Sequence, residues 1–448
     1  MTAASAEEIN FDGIVGPTHN YAGLSTGNLA SARNRDTVAR PREAALQGLA
    51  KMQLLRGLGL TQGVLPPHDR PNIKWLRSLG FSGTDAQVWE RAWKSEPTIA
   101  RAAMATSSMW AANAATISPS ADTADMRLHA SVANLQTMLH RLLEAEQTER
   151  SLRRLMPDEQ RFAVHEALLP HDVLSDEGAA NHMRMAAAAG ASGVEIFVYG
   201  RTAREVRVGF PARQTLEACH ALARRHQLDP TQTVFARQSA AAIDAGAFHN
   251  DVVAVAHEHV LFHHENAFDD KAGLYAQVRS AARGFEPVFV EVPRDRVGLE
   301  DAITSYLFNS QLVRLPGAGK LTLIAPTEVR ENNRTGAYLA ELLAQPDTPI
   351  GQVEFAEVRE SMRNGGGPAC LRLRIVMTPK ERAAAAQGFF LDDALAGQLA
   401  AWINKHYREE LAPGDLADPA LVTETQTALD ELTRILPLGG DFYPFQRT

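Results

Sequence analysis

The sequence predicts an α/β fold, because segments with strand spacing and segments with helix spacing alternate along its 448 residues. Residues 371–376 read Leu-Arg-Leu-Arg-Ile-Val, in which apolar and charged side chains alternate as in a strand. Pro41 begins a segment with apolar residues at Ala45 and Leu49, which is helical spacing with proline at the first position. No sequence repeat or low-complexity linker marks a domain boundary.

Composition excludes several classes of function. The chain is 45% hydrophobic and can bury a large core. Its length suggests two or three domains, unless all 448 residues form one large closed fold. The net charge is -8 and no dense Lys/Arg run is present, so we expect no nucleic-acid partner. Neither a leader nor a membrane-spanning run is visible, and we expect a soluble, cytoplasmic protein. Two cysteines argue against a disulfide framework and against a Cys-based zinc site.

One glycine-rich stretch, Asn364-Gly-Gly-Gly-Pro-Ala-Cys370, leads into the predicted strand at 371–376 and is the centre of the functional prediction. Three glycines let a backbone approach a ligand closely, and Cys370 is left at the mouth of a strand. A thiol in an exposed, electropositive setting can act as a nucleophile. The same pattern also fits a turn before a core strand with a buried, inert cysteine.

A polar loop follows the first predicted strand. After Tyr21, small and turn-forming residues run from Gly23 to Ser31, and their free N–H groups could fold over a ligand or form a surface connection. Further on, Asn113 lies among alanines, either as a satisfied core amide or aimed into a pocket.

Charged candidates follow in the middle of the chain. His140 and Arg141 could supply a fixed charge or form a solvated helix end. Glu177 precedes a glycine and a predicted helix. Its carboxylate could stabilise the helix dipole at the N-terminus, or it could turn inward and act as a general base. Another helix is predicted from Pro211 and Arg213 onward, with Cys219 on its apolar stripe; Cys370 is then the remaining candidate nucleophile.

Residues 248–256 are predicted to form a strand with His249 and Asp251 on one face. The histidines that follow, at 257, 259, 263 and 264, lack the spacing of a zinc site. We therefore expect surface residues on a hairpin and no metal.

A thiol, an imidazole and two carboxylates suit one substrate group better than others. Carboxylates beside Cys370 would raise its pKa, which is unfavourable unless the substrate brings positive charge. A planar guanidinium does so and pairs with carboxylates. We therefore expect chemistry at a guanidinium carbon.

Four motifs carry a resemblance: Tyr-Ala-Gly-Leu-Ser from 21, Asp-Glu-Gly-Ala-Ala-Asn-His from 176, Phe-His-Asn-Asp-Val from 248 and the Cys370 stretch. With these motifs the chain resembles, nearly end to end, the succinylarginine dihydrolase family of the guanidino-group-modifying (pentein) superfamily. The resemblance implies one domain over residues 1–448, a five-bladed α/β propeller with its active site in the central cavity, no cofactor and a homodimer.

The resemblance also assigns roles. It implies Cys370 as nucleophile with His249 and Glu177 as catalytic partners. It places substrate contacts at sixteen positions, which are Ala22, Gly23, Leu24, Ser25, Thr26, Gly27, Asn28, Leu29, Ala30, Ser31, Asn113, His140, Arg141, Arg213, Asp251 and Asn364. Asn113 stands where related deiminases have an aspartate, so charge pairing to the guanidinium would rest on Asp251 and Glu177.

The implied reaction is two rounds of the same hydrolysis on N-succinylarginine, which release two ammonia and carbon dioxide. The alternatives are a deiminase that stops after one ammonia and a non-catalytic binder of arginine derivatives. Since the substrate carries two carboxylates, we expect Arg213, His140 and Arg141 to supply cations away from the thiol.

Overall fold

The structure, a computed structural model, describes residues 6–105 and 109–447. Within these ranges the chain forms the following strands: β1 (Glu7–Gly13), β2 (Gln62–Leu65), β3 (Ala115–Ser118), β4 (Leu128–Val132), β5 (Phe162–His165), β6 (His182–Ala186), β7 (Gly193–Tyr199), β8 (Thr233–Arg237), β9 (Ala254–His257), β10 (Val260–His264), β11 (Val288–Val292), β12 (Gln311–Val313), β13 (Leu321–Pro326), β14 (Ile350–Ala356) and β15 (Arg372–Met377).

The helices of the same ranges are α1 (Leu29–Arg33), α2 (Pro41–Gly57), α3 (Ile73–Ser78), α4 (Asp85–Ser95), α5 (Pro97–Met104), α6 (Leu139–Leu142), α7 (Ala145–Leu155), α8 (Leu216–Arg225), α9 (Ala240–Asp244), α10 (Lys271–Ala281), α11 (Leu299–Ser305), α12 (Thr327–Glu331), α13 (Asn333–Ala344), α14 (Arg359–Met362), α15 (Pro379–Ala384), α16 (Asp393–His406) and α17 (Ala420–Ile435). Short 3₁₀ turns at Ala111–Asn113, Gly178–Asn181 and Asn250–Val252 precede β3, β6 and β9.

The strands form five three-stranded sheets of one design. In each sheet the middle strand pairs antiparallel with one neighbour and parallel with the other. Every parallel pair is joined through at least one helix, as a parallel crossover requires. Four sheets use consecutive strands, whereas the fifth has the order β15-β1-β2. Late and early segments of the chain therefore share a sheet.

Apolar burial holds these layers together. β7 is buried along nearly its whole length, which suits a strand covered on both faces. The largest apolar cluster joins β1, β3, β4 and β15 to α16 and α17, and it includes Cys370. β15 is followed at once by α15, whose N-terminus is fixed by a capping box between Thr378 and Glu381.

Several predicted elements are confirmed, and four are wrong. Pro41 begins α2, and the alternating residues after Cys370 form β15. The strand predicted at 248–256 begins only at Ala254, because His249 leads into a 3₁₀ turn. The helix predicted from Pro211 begins at Leu216, behind its cap Thr215, and the helix predicted after Glu177 is only the 3₁₀ turn Gly178–Asn181.

The fourth correction concerns the histidines after β9. His257, His263 and His264 are buried rather than on the surface, and His264 Nε2 hydrogen-bonds the carbonyl of Val297 at 2.9 Å. No group of three or more His, Cys, Asp or Glu side chains in the described ranges is arranged to hold a metal ion. Within those ranges, no helix has the length and apolar character to cross a membrane.

Candidate active site

The segments that precede the first strand of each sheet carry the polar side chains that meet around Cys370. Asn113 lies just before β3, Glu177 before the turn that leads into β6, and His249 and Asp251 before β9, while Cys370 lies before β15. The structure thus brings residues from four sheets together, as the carboxylate, imidazole and thiol pattern predicts.

The fifth sheet contributes Asn309, two residues before β12, which the sequence analysis missed. Its Nδ2 donates to Cys370 Sγ at 2.9 Å, and its Oδ1 accepts the backbone N–H of Cys370 at 3.2 Å. Its carbonyl also accepts the N–H of Ala369 at 3.1 Å. The signal that could have found it is positional, because Asn113, Glu177, His249 and Cys370 each lie before the first strand of a sheet.

The thiol is buried and lies next to a carboxylate. Cys370 Sγ donates to Asp251 Oδ2 at 3.3 Å. Burial raises the pKa of Cys370 well above its usual value, the negative charge of Asp251 raises it further, and the Asn309 hydrogen bond opposes both. The carboxylate beside the thiol thus raises the pKa of Cys370, as expected from the sequence, and the structure without substrate favours a neutral thiol.

Asp251 is itself perturbed. Burial raises its pKa from 3.8 to about 7, against the opposing hydrogen bonds from Cys370 and Asn309. A carboxyl group with this pKa holds a proton readily in the absence of a cation and ionises when a cation arrives.

Glu177 joins the imidazole to an arginine. Its Oε2 hydrogen-bonds His249 Nε2 at 2.7 Å and also accepts from Arg141 Nη1, and all three side chains are buried. Burial would raise the pKa of Glu177, but Arg141 and then His249 outweigh it and lower the pKa to about 2. Burial lowers the pKa of His249 to about 4, although Glu177 opposes the shift. A neutral imidazole against an ionised carboxylate carries its proton on Nε2, which leaves the lone pair on Nδ1.

Three acceptor atoms around the thiol have no hydrogen-bond partner among the described residues. They are Glu177 Oε1, Asp251 Oδ1 and Asn113 Oδ1, all shielded from solvent. Asn113 is oriented by its Nδ2, which donates to the Glu177 carbonyl at 2.7 Å. Since buried acceptors without partners are costly, this arrangement fits a ligand group with several N–H donors.

Unpartnered donors lie on two buried arginines. Arg141 Nε and Nη2 and Arg213 Nε and Nη1 have no acceptor within the described part of the chain. Arg213 also faces the Phe248 ring at 4.9 Å. Burial lowers the pKa of Arg213 to about 10, so the side chain stays charged at neutral pH and can bind a carboxylate.

The predicted loop covers this arginine. Arg213 Nη2 donates to Ser25 Oγ at 3.0 Å and to the Thr26 carbonyl at 2.6 Å. Asn28 caps α1 by accepting the Ser31 N–H at 3.0 Å, and its Nδ2 donates to the Asn364 carbonyl at 3.1 Å. Ser25 and Asn28 are buried, whereas Thr26 is exposed, so the loop has an inner and an outer side.

Other members of the predicted loop, Ala22, Gly23, Leu24, Leu29 and Ala30, are partly buried, and Gly27 is buried. Gly23 and Gly27 both have positive φ, at 66° and 87°, which favours glycine.

Two expectations about cations need correction. His140 is buried, and burial followed by the charges of Arg141 and Arg213 lowers its pKa to about 3, so it is neutral rather than a cation at neutral pH. Arg141 is not remote from the chemistry, because it binds the same carboxylate oxygen as His249.

The three glycines of the Cys370 stretch allow close approach to protein side chains rather than to a ligand. A Cβ on Gly365 would lie 2.0 Å from Asn28, one on Gly366 would lie 2.1 Å from Trp110, and one on Gly367 would lie 2.7 Å from Asn309 Oδ1. The stretch is therefore clamped between the loop and the residue that holds the thiol.

Comparison with known proteins gives a consistent family. A family model described as succinylarginine dihydrolase matches residues 5–446. N-succinylarginine dihydrolase 2 of Caulobacter vibrioides is 57% identical over 448 residues, covering 99% of each chain. N-succinylarginine dihydrolase of Paraburkholderia xenovorans is 54% identical over 449 residues, covering 99% of this chain and all of the relative.

Among solved structures, the apo form of ArgZ, an arginine dihydrolase from the ornithine-ammonia cycle in cyanobacteria, aligns with a TM-score of 0.48 and 14% identity. The alignment covers 82% of this chain and 40% of that one.

Proposed function

The chain belongs to the succinylarginine dihydrolase family, and from this premise we propose how its residues hydrolyse N²-succinyl-L-arginine. The reaction takes up two waters and yields N²-succinyl-L-ornithine, two ammonia and carbon dioxide. The observation that carries the residue assignment is the group of three buried, unpartnered acceptors beside the Cys370 thiol.

Guanidinium binding follows from those acceptors. Glu177 Oε1, Asp251 Oδ1 and Asn113 Oδ1 accept N–H groups of the guanidinium, and the two carboxylates balance its charge. Asn113 binds without adding a third negative charge. Glu177 therefore serves twice, since its other oxygen holds His249 and Arg141.

The substrate activates the nucleophile. A guanidinium about 4 Å from the sulfur at an effective dielectric constant of about 20 contributes roughly 4 kcal/mol, or about three pKa units. This gain acts against the effect of burial on the pKa of Cys370. The thiolate forms only beside its target, which protects Cys370 from other electrophiles.

The first round follows from the unshared lone pair of His249 Nδ1. Nδ1 takes up the thiol proton, and the thiolate adds to the guanidinium carbon. The imidazolium gives the proton to the departing nitrogen, which leaves as ammonia. Nδ1 then removes a proton from water, the water oxygen adds to the carbon, and the carbon–sulfur bond breaks to give a ureido group and the free thiol.

The second round repeats these steps on the ureido carbon. Loss of the second ammonia gives an S-bound carbamoyl group, and water releases it as a carbamic acid. The carbamic acid loses carbon dioxide and leaves the amine of N-succinylornithine. Both rounds together consume two waters, in agreement with the overall balance.

The two carboxylates of the substrate are recognised at a distance from the thiol. We assign Arg213 to one of them, because it is charged, buried and has two unpartnered N–H groups. The loop from Ala22 to Ser31 contributes backbone N–H groups and closes through the Ser25, Thr26 and Asn28 contacts. His140 contributes as a neutral hydrogen-bonding group. Asn364 supports the closed loop, since its Nδ2 donates to the Asn20 carbonyl at 3.1 Å.

Stoichiometry separates this function from its alternatives. Purified protein with N-succinylarginine should release two ammonia per substrate and form N-succinylornithine. One ammonia with accumulation of the ureido compound indicates a deiminase, and binding without turnover indicates a non-catalytic binder.

We also propose that residues 1–448 form one five-bladed propeller around a central cavity and that the protein is a cytoplasmic homodimer. In support of the propeller, the five sheets share one strand pattern, and the first strands β15 and β3, β6 and β9, and β9 and β12 are in contact. Light scattering should give twice the 48.8 kDa chain mass, and a monomer mass would refute the dimer.

A further inference from the structure

A pair of adjoining cavities lies beside the reacting centre, and no residue of the loop from Ala22 to Ser31 lines either of them. The inner cavity has a volume of about 50 Å³ and is lined by Asp251 and by Ala369, the neighbour of Cys370. The outer cavity has a volume of about 60 Å³ and reaches the exposed Ala188. Ala179, His182 and Arg374 line both cavities, so the two are neighbours on a line from the site to the surface.

The walls of these cavities follow from strand periodicity. On β15, Arg372 lines the inner cavity, Arg374 lines both, and Val376 lines the outer one. These residues alternate along the strand and therefore share a face. On β6 the equivalent set is His182, Arg184 and Ala186. The first strands of two sheets thus each turn one face toward these two cavities.

Both cavities are narrow, and each has polar or charged groups set into a lining that is mainly apolar. Asn250 Oδ1 and Asp251 Oδ1, on residues of the inner wall, have no hydrogen-bond partner among the described residues. Glu8, Glu258, Arg184 and Arg374 line the outer part with charges of both signs. Each cavity exceeds the roughly 10–15 Å³ that one water needs, and polar partners are present. Only molecules of about the size of water fit comfortably.

The substrate side is closed in this structure. Arg213, Ser25 and Asn28 are buried under the loop, and a bound substrate would fill that side further. The reaction nevertheless needs two waters and releases three small products, partly while the carbon chain of the substrate is still held. A second opening meets this need.

We propose that the inner and outer cavities form an axial conduit that admits water to the Cys370-bound intermediate and releases ammonia and carbon dioxide. The proposal rests on the proposed function, because only a two-round hydrolysis exchanges small molecules between rounds. Asp251 stands where the conduit meets the thiol, and its unpartnered Oδ1 faces arriving water until the guanidinium binds it.

The test narrows the conduit without touching the catalytic residues. Val376→Trp places an indole in the outer cavity, and Ala188→Trp caps its opening from an exposed position that core packing does not constrain. Val376→Ala is the matched control, since it removes side-chain volume from the same wall. Circular dichroism establishes which variants are folded.

Both tryptophan variants should lower kcat for N-succinylarginine by about fivefold with little change in KM, since substrate binds from the other side. After acid quenching, mass spectrometry should find a larger fraction of protein with substrate-derived mass on Cys370, because water reaches the intermediate slowly. Val376→Ala should match wild type in both measurements.

A folded Val376→Trp with wild-type kcat and wild-type adduct level overturns the conduit. If Val376→Trp is not folded, the same result for Ala188→Trp overturns it. Failure of the proposed function would look different. In that case the wild-type protein itself would release no ammonia from N-succinylarginine or form no adduct on Cys370.

Discussion

Asn309 holds Cys370 at two atoms. Its amide nitrogen donates to Sγ at 2.9 Å, and its amide oxygen accepts the Cys370 backbone N–H at 3.2 Å. The contact fixes the sulfur relative to its own backbone and supplies a donor that favours the thiolate over the thiol. Asn309 is therefore a positioning residue with an electrostatic effect.

Replacing Asn309 by Ala should lower kcat about tenfold or more, because the loss of one hydrogen bond to a charged group is worth about 1.5–3 kcal/mol. The thiol pKa should rise, so alkylation of Cys370 by iodoacetamide should require higher pH. Asn404→Ala, at an exposed asparagine of α16, serves as the control. Unchanged kcat together with an unchanged alkylation profile would contradict the role.

The two cysteines should behave oppositely. Cys370→Ser should abolish turnover and keep the fold, since a hydroxyl is a much weaker nucleophile at this position. Cys219 lies fully buried in an apolar cluster on α8, and burial raises its pKa far above its usual value. Cys219→Ser should therefore lower thermal stability and leave kcat of the folded protein near wild type. Loss of turnover in folded Cys219→Ser would reassign the nucleophile.

Arg141 and Arg213 should separate in their kinetics. Arg141→Ala should lower kcat strongly, because it leaves Glu177 without the cation that shares its oxygen with His249. Arg213→Ala should instead raise KM for N-succinylarginine by about thirtyfold and reduce the preference over free arginine, since roughly 2 kcal/mol of carboxylate binding is lost.

Steady-state kinetics of the two variants with N-succinylarginine and with free arginine test this prediction, and melting temperatures show whether the variants are folded. Equal effects of the two changes on KM, with kcat intact in both, would place Arg141 back among the remote substrate contacts.

Short stretches of sequence predict several single helices and strands, but they do not predict the repetition of the five sheets. Neighbouring residues alone predict β15, from its alternation of apolar and charged side chains, and the start of α2, from its proline. The five sheets repeat the same pattern of hydrogen bonds between strands. Because different residues can form this pattern, the sequence contains no matching repeat. The pairing of β1 with β15 joins segments more than 350 residues apart, which no local rule predicts.

The site shows the same division. Cys370, His249 and Asp251 could be found because their chemistry is distinctive. Asn309 was missed, because an asparagine before a three-residue strand resembles any turn residue, and its position before a first strand stands out only when the sheets are known. The charge on His140 was misjudged for a related reason: its pKa depends on burial and on Arg141 and Arg213, which only the fold brings together.

Asp251 makes stability depend on pH in a way that can be checked without substrate. Its pKa is raised by burial from 3.8 to about 7 in the folded protein. Between these values the folded state keeps a proton that the unfolded chain has lost, so the free energy of unfolding falls as pH rises from about 4 to 7. Above pH 7 both states are ionised, and the full cost of the buried charge is present.

Asp251→Asn removes this ionisation while keeping an oxygen that can accept from Cys370. The variant should therefore gain melting temperature relative to wild type, with a larger gain at pH 8 than at pH 5. Asp347→Asn, at an exposed carboxylate, should show no such difference between the two pH values. Turnover should be lost in Asp251→Asn, because the guanidinium would have one carboxylate fewer. A stability gain equal at both pH values, or larger at pH 5, would mean that Asp251 ionises as easily in the folded protein as in the unfolded chain.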